Sequence, residues 1–489
     1  MTSNKTYVIS GTKWLTISSV VSSLTYLLTL AILARILSKS DFGIIAIITF
    51  IQGLMQMLSG LGFSSSIMHK KEISILEFYS LFWIQLLVYV IIYIITCIIS
   101  PIIANYYAEP QLKALLPISL LSLVFLGIGS LHGTILHKNF EYKIISIRDI
   151  IASILSLVIA VLLALFGFGV YSLVISLLLK IAIVQIWNFI AGIKYIPISF
   201  SVSYDRVKQL ATIGFYQTGT NIVDYLGSSL DVLIIGKLLG TEVLGGYNLV
   251  KELLTKGLYF LNSIANRVVL PIYSSMQENH TSLRGFYCKH IKVITVISFP
   301  ICVLLGGLSF DMITIFYGAK FGDMSLVLSI LSIWGLLSVI GNPVGGVITA
   351  TGRTDLSFLY ALIRCFYVLP MVYFASTVNI LVVASCILMG EIISFVLSWY
   401  LELYKTIEMS FVQIVKSFIP VLILSLLLIV LGNLFSYFDL ISFSNIYLRT
   451  IIRSLVLALL YVGFCCIVYR ELAIRIMKST RDRLFKYLR

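Results

Sequence analysis

The chain is 489 residues long, 59% hydrophobic and only 11% charged, with a formal net charge of +14. Water-soluble domains carry roughly 25% charged residues, so most of this chain sits in something other than water. The apolar residues come in blocks of about 20, enough to cross a hydrocarbon core of about 30 Å as helices; a membrane β-barrel would instead show alternation over segments of about 10 residues, and none is present.

The expected fold is all-α: a polytopic membrane protein of about 14 transmembrane helices. In chain order the first six spans fall near 15–36, 43–67, 79–100, 114–136, 144–166 and 170–192. The next six fall near 212–238, 247–274, 290–312, 325–350, 357–376 and 380–401. Two more follow near 414–434 and 448–469. The first span begins shortly after Lys5 and Lys13 and is too long for a signal-peptide core, so it reads as an uncleaved helix.

Span one ends in LARILSKSDFG (33–43) and span seven in IGKLLGTEVLG (235–245). Arg35 falls on Lys237, Leu37 on Leu239 and Gly43 on Gly245, all at one offset of 202 residues. Both stretches lie where an outgoing helix gives way to a returning one. The cation snorkels to the interface, and the glycine is expected to ease the tight turn. Spans seven to twelve then repeat spans one to six as a parallel repeat, a recurring transporter plan. The expected organisation is an N-terminal six-helix lobe over 1–192 and a linker over 193–211. A C-terminal six-helix lobe follows over 212–401, then two additional helices over 402–469 and a basic tail over 470–489.

Lysine and arginine concentrate in alternate loops, so the positive-inside rule places both termini in the cytoplasm. The same pattern accounts for the net charge without nucleic acid. The tail alternates apolar and basic residues and suits the surface of an anionic inner leaflet. The seven cysteines show no metal or paired extracellular spacing and read as small core residues. The five histidines likewise show no metal spacing. Pro101, Pro117, Pro271, Pro300, Pro343, Pro370 and Pro420 are expected to kink or stop helices. Gly341, Gly345 and Gly346 around Pro343 read equally as a hinge or as a close-packing surface.

GTKWLTISS, LARILSKSDFG and LGFSSSIMHKKEI in the first half resemble the polysaccharide-export branch of the multidrug/oligosaccharidyl-lipid/polysaccharide (MOP) flippase superfamily. In the second half, LDVLIIGKLLGTEVLGGYNL (230–249) and ATGRTDLSF (350–358) extend the likeness. The resemblance implies a two-lobed flippase of the bacterial inner membrane, of the lipopolysaccharide, teichuronic acid or colanic acid type. Its cargo would be an undecaprenyl-pyrophosphate-linked oligosaccharide, carried to the outer leaflet for surface polysaccharide assembly, beside partners such as a glycan polymerase.

The sequence has no G-x-x-x-x-G-K-[ST] phosphate loop and no enzyme constellation, so no cofactor and no catalytic residue is expected. A proton or sodium gradient is the expected energy source. Two other functions share the architecture: a cation-coupled drug or metabolite antiporter, and a non-transporting scaffold for polysaccharide assembly.

A charge at mid-bilayer costs about 2.5–3.5 kcal/mol on insertion scales and needs a partner or a wet cavity. On span seven, Gln217, Asn221, Asp224, Ser228 and Asp231 recur at three and four residues, forming one polar stripe. Span eight does the same with Glu252, Lys256, Tyr259, Ser263 and Arg267. One reading gives substrate binding to Gln217, Asn221, Lys256, Ser263, Arg267 and Arg364, and cation coupling to Asp224, Asp231 and Glu252. The other makes the same charges ion pairs within the hairpin, Asp231 with Lys256 and Asp224 with Arg267. Arg364 and Glu391, equidistant from the turn near 377–378, are expected to pair structurally. Lys180, midway through span six, has no local partner in the sequence.

Overall fold

The structure, a computed structural model, describes residues 2–70, 73–197, 199–200, 218–219, 221–438 and 445–468, with backbone alone at 2–10, 12, 69 and 260–268. The regular structure among the described residues is helical, with no strand. In order they form α1 (Thr2–Ile36), α2 (Lys39–Gly60), α3 (Phe63–His69), α4 (Ile75–Tyr107), α5 (Leu112–Lys138), α6 (Tyr142–Leu165) and α7 (Tyr171–Gly192). After a helical stretch over 221–229 come α8 (Asp231–Leu238), α9 (Gly240–Ser275), α10 (His280–Gly307) and α11 (Ser309–Tyr317). The chain continues as α12 (Ser325–Thr351), α13 (Thr354–Ser376), α14 (Ile380–Ser398), α15 (Phe411–Tyr437) and α16 (Ile446–Val468).

Twelve helices among the described residues are long and apolar enough to cross a membrane. The expected count of about 14 differs by spans seven and eight. Span seven is described only in part. Span eight is α9, long enough at 36 residues but polar, with Glu242, Lys251, Glu252, Lys256 and Arg267 along it.

Local chemistry sets several boundaries. Ser38 caps α2 by accepting from the Asp41 amide, while the Asp41 carboxylate accepts from the Ser38 amide. Ser74 and Glu77 form the same reciprocal box at the start of α4, which satisfies two otherwise orphaned donors each time. The seven prolines expected to kink or stop helices all lie inside helices that continue past them. In membrane helices, neighbouring helices and hydroxyl side chains re-satisfy the freed carbonyls, which permits this.

Two compact units make up the chain, 1–249 with 361–380 and 250–360 with 381–489. In the first, α5 packs on α4 and α7, and α1 packs on α6. Polar bridges link these helices: Gln52 donates to Ser122 at 2.8 Å and accepts from Ser119 at 3.3 Å, and Gln85 donates to Ser130 at 3.1 Å. Arg148, buried on α6, is held by Asp149 and by Asn188 of α7. Interhelical bonds of this kind average about 0.6 kcal/mol in a bilayer, so they specify partners more than they stabilise.

In the second unit, α10 is the centre, packed against α12 and α15. Gly307 and Gly432 allow α10 and α15 to touch along their backbones, since a Cβ at Gly432 would lie 2.7 Å from the Gly307 carbonyl oxygen. Asn433 then donates to the Gly306 carbonyl at 2.9 Å, and Ser329 of α12 donates to the same oxygen at 2.8 Å. Span nine, expected over 290–312, stops at Gly307; α11 starts afresh at Ser309. That break delivers Asp311, fully buried, to α16. Its two carboxylate oxygens meet Arg449 at 2.6 Å and Arg453 at 3.3 Å. The last two helices are therefore integral to this unit.

Candidate functional site

The two stretches with shared spacing meet within the first unit. α2 and α9 cross near their starts. A Cβ at Gly43 would lie 1.9 Å from the Thr241 carbonyl oxygen, and one at Gly245 would lie 1.8 Å from that of Lys39. Thr241 is the counterpart of Lys39 at the 202-residue offset, so the contact is reciprocal, each glycine meeting the partner of the other's neighbour. Both turns thus lie together. The glycines serve a helix crossing rather than the turn. Neither has a positive φ; in this connection that conformation belongs to Gly240 (φ 86°). The Ser40 and Thr241 hydroxyls hydrogen-bond beside the crossing at 2.9 Å, and Thr241 also donates to Glu109 at 2.6 Å. Lys237 donates to the Tyr106 carbonyl and lies over the Tyr106 ring, 4.3 Å from its centre. Its counterpart Arg35 is exposed at the end of α1.

The described part of the span-seven stripe packs against α2 and α13. Tyr225 stacks on Phe50 at 5.3 Å and donates to the Phe50 carbonyl. Cys365 of α13, which follows Arg364 in the chain, approaches the carbonyl of Val223, which precedes Asp224, at 3.4 Å. Asn221, Asp224 and Ser228 are exposed on this stretch. Asp231 is buried, and one of its oxygens accepts from the buried Tyr247 hydroxyl. Asp231→Ala is expected to orphan that hydroxyl and cost about 1–3 kcal/mol, whereas Asp231→Asn keeps an acceptor and costs less. Thermal denaturation of the purified protein in detergent checks this order.

In the second unit, Lys256 pairs with Glu252 one turn before it at 3.5 Å, both partly exposed. Glu391 accepts from the Trp334 indole at 3.2 Å; Arg364 and Glu391 belong to different units. Gln217 lies outside the described residues, as do the side chains of Ser263 and Arg267 and the tail over 470–489. Lys180 is half-buried on α7 and has electrostatic or hydrogen-bonding company there.

Sequence reasoning missed two buried acids of the second unit. Asp311 is one. Glu402 is the other, accepting from Ser357 and Ser398 at 2.6 Å each. It sits in a π-helical segment, Trp399–Tyr404, a distortion that frequently accompanies functional positions. Its signal in the sequence was a single glutamate inside an apolar run. No cluster of metal-binding side chains occurs among the described residues.

Comparison with known proteins agrees with this architecture. The chain is 27% identical over 410 residues to the lipopolysaccharide biosynthesis protein WzxC of Escherichia coli (strain K12), covering 84% of this chain and 83% of that one. It is 24% identical over 417 residues to the teichuronic acid biosynthesis protein TuaB of Bacillus subtilis (strain 168), covering 84% and 86%. Among solved structures, the lipid II flippase MurJ in an inward closed conformation superposes with a TM-score of 0.76 at 17% identity, over 95% of this chain and 100% of that chain. An inward-facing multidrug resistance MATE family transporter superposes at 0.63 and 14% identity, over 79% and 94%. The fold is that of the MOP superfamily. The profile of the family described as "Polysaccharide biosynthesis protein" matches residues 32–326, more than half of the chain, and the chain belongs to that family.

Proposed function

We propose that the protein is a flippase that moves an undecaprenyl-pyrophosphate-linked oligosaccharide from the cytoplasmic to the outer leaflet of the bacterial inner membrane. The observation that carries this reading is membership of a polysaccharide biosynthesis family on a fold shared with a lipid II flippase. Both termini are cytoplasmic in this reading, as the basic loops require. The cycle is alternating access, in which a substrate path opens to one leaflet and then to the other.

The span charges supply the chemistry. Lys256, Arg267 and Arg364 provide positive potential for the pyrophosphate, stronger in a low-dielectric cleft than in water, with Gln217, Asn221 and Ser263 as polar contacts. Asp224, Asp231 and Glu252 couple the cycle to a proton or sodium gradient. When phosphate competes for a basic partner, the released carboxylate is left costly in a dry site, and a cation relieves it. The Glu252–Lys256 pair at 3.5 Å supports this, because that acid already has a cation that an anionic substrate can draw away.

Cells lacking the protein are expected to accumulate the lipid-linked oligosaccharide in a pool that externally added lectin cannot reach. Restored expression should move that pool to the lectin-accessible side. Accumulation on the accessible side in the deletion strain contradicts a flippase and favours a later assembly step.

A further inference from the structure

A groove of about 620 Å³ runs between α6 and α7 in the first unit, lined by Ile147, Ile183, Ile186, Ile190 and Ala191, with Lys194 at one end. Its size falls within the range of about 300–1,000 Å³ typical of ligand sites. Its lining is apolar, isoleucines with Trp187 among them, and faces outward: Ile186 is 44% exposed and Ile190 59%. The exposed Ile151, Ile154 and Leu155 of α6 continue the same apolar surface. On two helices that cross a membrane, such a surface meets lipid chains.

Length and charge narrow the occupant. From Lys194 to Ile183 is eleven residues of helix and helix end, about 16 Å at a rise of 1.5 Å per residue. A bilayer core of about 30 Å gives each leaflet about half that depth. The groove therefore runs from one interface to mid-bilayer, the reach of a single-leaflet acyl chain. Lys194 is exposed at the interfacial end. Lys143 stands at the start of α6, 5.9 Å from the centre of the Trp14 ring, and Lys138 is engaged by the carbonyls of Ile67 and Lys70. The acid there, Glu141, accepts from the Tyr195 hydroxyl. The charge in the groove lining is that of Lys194, at the end that the basic loops mark as cytoplasmic, and basic pockets between spans on that side suit anionic head groups.

We propose that this groove is a binding site for one anionic phospholipid of the cytoplasmic leaflet, its acyl chain along the isoleucines and its phosphate at Lys194. The site is independent of the transported substrate, so it stands or falls apart from the flippase reading.

The test is native mass spectrometry of the full-length protein released from bilayers of equal phosphatidylglycerol and phosphatidylethanolamine. One retained phosphatidylglycerol per chain is expected. Ala191→Trp, which fills the groove, and Lys194→Glu, which reverses the rim charge without touching the packing, are each expected to lose it. Equal retention of the two lipids overturns the site. So does undiminished phosphatidylglycerol in a folded Lys194→Glu protein, or displacement by an isoprenoid phosphate in place of phospholipid.

Discussion

Gly43→Ala is expected to lower thermal stability and to stop export, and Gly245→Ala to do the same. One methyl group suffices, because the new Cβ would lie 1.9 Å or 1.8 Å from a backbone carbonyl oxygen. A backbone atom cannot swing aside as a side chain does, so α2 and α9 must part. Overpacking of this kind costs about 1–3 kcal/mol. Export is expected to fail with the crossing, because the methyl removes the close approach that holds the two helices in this unit. Gly345→Ala is the control: nothing lies within 4 Å of its added Cβ, and alanine favours an exposed helix by roughly 0.5–1 kcal/mol. Thermal denaturation and surface-glycan measurement on the three variants check the contrast. Equal behaviour of all three removes the crossing from the account.

Asp311→Asn is expected to destabilise the protein by about 3–5 kcal/mol, as removal of one partner from a buried ionic cluster does. The substitution keeps the shape and deletes the carboxylate that two guanidinium groups share. Arg453 has no exposed surface, so water cannot replace what it loses. Combining Asp311→Asn with Arg453→Met should cost less than the two single changes added together, with a coupling of about 0.5–3 kcal/mol. Denaturation of the four proteins in detergent measures it. Strict additivity contradicts the cluster as the tie between α16 and the second unit.

Much of this fold was legible because lipid leaves a chain few choices. Blocks of about 20 apolar residues had to become helices, but the capping boxes of Ser38 with Asp41 and Ser74 with Glu77 went unread, and spans two and three were placed four residues late, at 43 and 79 in place of 39 and 75. The shared punctuation of Arg35–Gly43 and Lys237–Gly245 suggested a parallel repeat; that the two stretches touch emerged only from the structure. Its physical reason was misjudged, since a glycine in sequence does not reveal whether a turn or a second helix needs the space. The Asp311 cluster was readable in part. Gly306 and Gly307, followed by Ser309 and Asp311, form a stop and a restart that a hydropathy window smooths over. Arg449 and Arg453 were absorbed into the head of span fourteen, although two arginines four apart lie on one helix face and call for an acid. The acid stands 138 and 142 residues away, and no local pattern names it. The polar stripes were visible by spacing. The hydroxyl of Tyr247 on Asp231, and likewise the indole of Trp334 on Glu391 outside the stripes, come from helix packing.

Transport of a lipid-linked oligosaccharide across the bilayer is measured directly with purified protein in sealed vesicles. Fluorescently labelled undecaprenyl-pyrophosphate oligosaccharide starts in both leaflets, and a membrane-impermeant quencher or lectin reports the outer pool. The protein is expected to render the inner pool accessible in time, faster with an imposed proton or sodium gradient, and Asp224→Asn with Asp231→Asn is expected to abolish the gradient response. An inner pool that stays protected in vesicles containing folded protein, with or without a gradient, would contradict transport.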